Sequence, residues 1–150
     1  MNLFKITNPL WVANLAPLIQ KMITRLALPN IDYYALITHY QGIAQLGHSN
    51  AELYVVTEGD EGFPIAFANW IIRSVPFVGT AYLEFIYSQK VGAAEELLLQ
   101  FKKFADQRNS PYLMCDIGNN GKLIKHFRKI ATKNGVKLTE APTVTFLART

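Results

Sequence analysis

The folding options of this chain narrow most at one stretch, Ser88-Gln-Lys-Val-Gly-Ala-Ala94. An apolar, β-rich run from Ala81 to Tyr87 leads into it, and a helical pattern from Ala93 to Arg108 leads out. A strand, a tight loop of small residues and a helix start form a ready anion site. The first N–H groups of a helix have no carbonyl partner within it, and its dipole favours negative charge there. Gly92, Ala93 and Ala94 would let a phosphate approach the backbone without side-chain collision. An ordinary strand-to-helix connection would use the same residues, so the order of elements around the loop has to decide.

Leu3 to Thr7 suits a short first strand, and Asn8-Pro9 a helix start with Asn8 as cap. Trp11, Leu15, Leu18, Ile19, Met22, Ile23 and Leu26 recur at helical spacing. Pro17 interrupts them and predicts a kink or restart near Ala16. Asp32 or Asn30 can cap a second helix running to about Leu46, with Tyr33, Leu36, Ile37, Tyr40, Ile43 and Ala44 on one broad face and Gly47 as its stop.

The period then changes. Glu52 to Thr57, Pro64 to Arg73 and Thr80 to Ser88 read as a three-stranded meander, its first turn bracketed by glycines at 59 and 62. After the loop, Leu97, Leu98, Phe101, Phe104 and Ala105 make an apolar stripe. Tyr112 to Ile117 is almost wholly apolar, as for a buried parallel strand, and completes a βαβ unit with right-handed crossover. A turn at 118–121 opens a basic helix from Lys122 to about Lys133. Val136 to Leu138 suggests a short strand start, and Thr143 to Ala148 a final strand.

A length of 150 residues with half of them apolar suits a single domain, 1–150. A net charge of +4 helps an anionic ligand approach but is too small to argue for nucleic acid. The lone Cys115 excludes an intramolecular disulfide and a multi-cysteine zinc site, and makes a cytoplasmic location the default. No apolar run is as long as a membrane span, and Met1 to Thr7 lacks the pattern of a signal peptide.

This order of elements resembles the GNAT superfamily of N-acyltransferases across essentially the whole chain. That family carries Gln or Arg, two variable residues, Gly, one variable residue, then Gly or Ala between its fourth strand and the following helix. Gln89, Lys90, Val91, Gly92, Ala93 and Ala94 match it at each defined position. The resemblance implies a mixed α/β fold, mostly antiparallel with a central parallel βαβ unit, and acetyl-CoA as co-substrate. It implies that the backbone of Val91 to Ala94 holds the CoA pyrophosphate, that Ile86 and Tyr87 pair with the pantetheine arm, and that Asn119 and Asn120 line the cleft. The implied reaction moves an acetyl group to an amine, on a small molecule or protein, by an acceptor site in the helices at 17–46 and the loop at 74–79. A homodimer or assembly partner stays open.

One family feature is missing. The helix tyrosine that serves as acid falls at Phe127 or Ala131, and neither has a hydroxyl. That motivates a second reading: a non-catalytic structural or interaction protein on the same fold, of the kind found among bacteriophage virion or accessory proteins. A virion location would follow if the gene were a phage's.

The candidate chemical residues each have a plainer reading. Glu84, in an apolar strand, is either a general base facing the cleft or a salt-bridged glutamate. Tyr87 could protonate the leaving thiolate or simply pack. Cys115 reads as a buried, inert thiol. His126 falls among Lys125, Arg128 and Lys129 on a basic helix face. His39 and His48 show no ligand-like spacing, so no metal site is expected.

Overall fold

A computed structural model describes residues 1–25, 31–47, 50–60, 62–74, 79–115 and 121–137. They fall into two compact units, Met1–Asp116 and Ile117–Thr150. The expected final strand at 143–148 lies outside the described residues.

In the first unit, β1 (Asn2–Lys5) leads to Asn8, whose Oδ1 accepts from the Leu10 N–H and caps a 3-10 helix at Pro9–Leu15. At Ala16 that helix passes into α1 (Ala16–Arg25), which is the restart expected beside Pro17. Pro17 has no N–H to offer the preceding turn, so tight 3-10 turns come before it and regular α-helix begins with it. Asp32 caps α2 (Tyr33–Leu46) through the Ala35 N–H at 3.1 Å, and Gly47 ends it in the left-handed region at φ 51°.

The sheet follows as β2 (Ala51–Glu58), β3 (Phe63–Arg73), β4 (Thr80–Ser88) and β5 (Leu113–Cys115), with α3 (Val91–Gln107) between the last two. Among the described residues the strand order is β1-β2-β3-β4-β5, antiparallel except for the parallel β4–β5 pair. This is a mixed α/β fold with a mostly antiparallel sheet.

Alternation along the strands gives the sheet two apolar faces. On one, Leu53, Val55, Phe67 and Tyr87 join Leu15, Ile19, Met22 and Tyr40 from the helical layer in one buried cluster. On the other, Trp70 is fully buried, stacked on Tyr54 at 5.3 Å and packed against Phe101 and Phe104 of α3 at 5.5 and 6.1 Å. Arg108, just past α3, reaches the buried Glu52 of β2 at 3.3 Å and lies 3.9 Å over the Phe104 ring.

Three expectations are corrected. The helix expected from Ala93 begins at Val91, because Lys90 in extended conformation acts as the cap and the Ala94 N–H closes the first turn on its carbonyl. The described β5 is short rather than buried: Leu113 is exposed, and Met114 and Cys115 are half-buried. Cys115 is therefore not the buried thiol expected. Val136 and Lys137 are not strand. Gly135, at φ 70°, turns the end of the second unit's helix α4 (Gly121–Lys133), and the Val136 N–H returns to Ala131 O at 2.8 Å in a helix-closing motif.

Candidate active site

The loop at the end of β4 is held by main-chain and hydroxyl hydrogen bonds. The Gln89 N–H donates to Ile65 O at 2.9 Å, tying the loop's first residue to β3. Ser88 Oγ accepts from the Lys90 N–H at 3.1 Å and donates to the Lys90 carbonyl, which fixes the turn. Because the Ala94 N–H makes the first intrahelical bond, those of Val91, Gly92 and Ala93 precede it without an intrahelical acceptor. Gln89, Lys90, Val91 and Gly92 are exposed, Ala93 is buried and Ala94 half-buried. No side chain caps this helix, and the Lys90 ammonium pairs instead with Glu58 across the β2–β3 turn. A Cβ added at Gly92 would meet only Met1 Cε, at 3.6 Å.

The middle of β4 breaks its own alternation. Asn69 faces Phe85 and Trp70 faces Leu83, so Glu84 is an extra, unpaired residue. A bulge of this kind turns two successive side chains to one face. Phe85 packs on the helical-layer core, and Glu84 reaches α2 on that same face. Glu84 Oε1 accepts from Asn69 Nδ2 at 2.8 Å and from His39 Nε2 at 3.2 Å, while Oε2 lies 3.6 Å from Arg73. Arg73 also lies over the Tyr82 ring at 3.7 Å. The β4–β5 pairing ends at Leu83–Cys115, so among the described residues Glu84 to Ser88 have no strand partner on that side.

Beside this cluster lies an open groove of about 570 Å³, lined chiefly by Ala35, His39, Gly42, Ile43, Leu46 and Ile71. Glu84 is not on its wall; His39 is. Spacing along β4 puts Glu84 roughly 13 Å from Ser88, four residues on.

Of the other residues singled out in the sequence, Tyr87 is buried against Phe67 at 6.4 Å, and its hydroxyl has no hydrogen-bond partner among the described residues. Ile86 is half-buried on β4. Asn119 and Asn120 lie outside the described residues. His126 is half-buried on α4, Phe127 is buried and Ala131 half-buried. Among the described residues, no three His, Cys, Asp or Glu side chains group as a metal site would require. No helix among them is long and apolar enough to cross a membrane.

His39 was missed because it lies 45 residues from its carboxylate, and only the bulge brings the two together. The one signal in the sequence is its place on α2: it stands between Leu36 and Ile43 at helical spacing, on the border of the apolar face.

Tyr40 lies beneath the cluster, fully buried, its ring 5.8 Å from that of Phe67 and its hydroxyl without a hydrogen-bond partner among the described residues. Burial, and secondarily the charge of Glu84, push that hydroxyl well above the ordinary tyrosine range. A folded-state value above the unfolded one keeps its stabilisation below about pH 10 and loses it as pH rises further. Tyr40→Phe is therefore expected to change stability at neutral pH by no more than about 1 kcal/mol. In urea denaturation at about pH 11 the variant should lose less stability than the parent.

No family model matches the chain, and no curated protein matches it. Solved structures do. A crystal structure of a probable acetyltransferase superposes with TM-score 0.73 at 13% identity, over 100% of this chain and 99% of the other. The aminoglycoside N-acetyltransferase AAC(6')-Iy, in complex with the bisubstrate analogue CoA-S-monomethyl-acetylneamine, gives TM-score 0.69 at 15% identity, over 99% and 98%. The aminoglycoside 6'-N-acetyltransferase AAC(6')-IG from Acinetobacter haemolyticus gives 0.67 at 17% identity, over 100% and 99%.

Proposed function

Because this chain has the fold of the GNAT acetyltransferases, we propose that it transfers an acetyl group from acetyl-CoA to an amine of an acceptor. The observation that carries this reading is the exposed start of α3, where the N–H groups of Val91, Gly92 and Ala93 precede the first intrahelical bond at the end of β4. The residues present suit a pyrophosphate: small side chains, an uncapped helix start, and an N–H array of the kind that binds phosphate. Two of the similar structures are complexes with CoA or a CoA analogue, which supports the same ligand here.

In this reading, Gln89 to Ala94 hold the phosphates, and the backbone of Ile86 and Tyr87 lies along the pantetheine arm. Acetyl-CoA supplies the activated thioester. The chain supplies position, and acid–base groups around Glu84. Tyr87, with its hydroxyl buried against Phe67, is better placed to shape the cleft floor than to donate a proton.

Isothermal titration with acetyl-CoA and with CoA tests the binding step. Saturable binding between micromolar and millimolar is expected, the usual range for an enzyme's substrate. No heat at millimolar ligand would sink the reading. The non-catalytic alternative, a structural or interaction protein on this fold, is favoured by one observation: Phe127 and Ala131 stand where a hydroxyl is expected. CoA binding without acetyl transfer to a broad amine panel would support it.

A further inference from the structure

We propose that His39 Nδ1 is the proton acceptor for the incoming amine and that Glu84 is its positioning residue. This rests on the acetyl-transfer reading above and names the atom that does its acid–base work.

Three observations converge. His39 lines the groove and Glu84 does not. The Glu84 carboxylate is already engaged by Asn69, His39 and Arg73, which leaves few lone pairs for an incoming proton. The third fixes the tautomer. A carboxylate facing an amide NH₂ and a guanidinium only accepts, so His39 Nε2 must carry the hydrogen it shares with Oε1. In the neutral ring Nδ1 then carries the lone pair, and the ring is half exposed at the groove wall. A base held by a carboxylate at its other nitrogen is a recurrent way to aim an imidazole.

The groove suits an amine with an apolar body. Ala35, Ile43 and Ile71 form its walls, and at Gly42 an added Cβ would meet nothing, so the helix surface is open there. The acceptor enters as an ammonium and gives one proton to His39 Nδ1. The freed nitrogen lone pair forms the C–N bond to the thioester carbonyl carbon. The C–S bond breaks with its electron pair on sulfur, and the second proton from nitrogen neutralises the thiolate. His39 then returns the first proton to solvent. The sum is ammonium plus acetyl-CoA giving amide, CoA thiol and one proton. No tyrosine acid is needed.

The test has two arms on the full chain. In the first, nitrogen-15 NMR of the ring reads the His39 tautomer without any substrate. The expected result is hydrogen on Nε2 in the parent and a mixture of tautomers in Glu84→Gln. A parent ring with hydrogen on Nδ1 would overturn the proposal. In the second, kcat/KM for an amine panel is followed against pH. His39→Gln should lower it by about 10²–10⁴-fold, the usual range for a general base, with acetyl-CoA binding unchanged. The Glu84→Gln, His39→Gln double variant should be no slower than His39→Gln alone. His39→Gln activity within a few-fold of the parent overturns the proposal, as does a parent that binds acetyl-CoA yet acetylates no amine. Loss of acetyl-CoA binding in the parent would instead overturn the functional reading itself.

Discussion

Gly92→Asp is expected to weaken CoA binding by on the order of a hundredfold or more while leaving the fold as stable as before, or slightly more so. The two effects separate because one carboxylate acts on two states. Without ligand, a negative charge in the first turn of α3 complements the helix dipole and adds about 0.3–1 kcal/mol. The new Cβ meets only Met1 Cε, at ordinary contact distance, so no backbone has to move. With ligand, the same charge faces a pyrophosphate. Two unit charges about 4 Å apart repel by roughly 4 kcal/mol near a protein surface. A variant that lost binding together with stability would say little about the anion site. A variant with raised thermal stability and lost CoA binding in titration calorimetry would place the phosphates at Val91 to Ala93. Unchanged affinity would remove the loop from the binding site.

Arg108→Met should cost about 3–5 kcal/mol, a large part of the stability of a domain this size. Glu52 is buried in β2, and Arg108 answers its charge at 3.3 Å. Truncating the arginine leaves that carboxylate inside the sheet–helix interface without its cation, and also removes the group that covers the Phe104 ring. The same pair anchors the far end of α3 to β2, so its loss should loosen the helix whose start is the proposed anion site. Urea denaturation should show the loss. The double variant Arg108→Met, Glu52→Gln should recover part of it, since the uncompensated charge goes. A single variant within about 1 kcal/mol of the parent would show that the pair is solvated rather than structural.

Where local chemistry fixes a conformation, the sequence was legible. Asn8 before Pro9 starts a helix, Asp32, one of two caps the sequence offered, starts the next, and Gly47 after Leu46 ends it, each through one side chain or one dihedral. The meander and the β4–loop–α3 order were likewise readable, because apolar period and glycine placement encode them. The bulge was not. Leu83-Glu-Phe-Ile86 alternates no differently from a regular strand, and an extra residue leaves no mark in composition. Nor was the His39–Glu84 pair, since a contact across 45 residues depends on how α2 lies over the sheet. The exposure of Leu113 was missed for a related reason: an apolar segment reads as buried whether or not a neighbour covers it.

The extra residue at Glu84 also divides β4 into two halves that are out of phase. Before it, even-numbered Tyr82 faces Arg73; after it, odd-numbered Phe85 and Tyr87 face the same layer. Side chains of β4 on the helical-layer face thus follow one parity before the bulge and the other after it. Substitutions at 82 or 84 need not re-register 85 to 88, which pair with β3 on the far side of the bulge. Deleting Glu84 itself would remove the bulge. The two halves would then join in one regular alternation, with Leu83 still opposite Trp70 and Tyr82 still opposite Ile71, and the helical-layer face would lose only the carboxylate that His39 and Arg73 share.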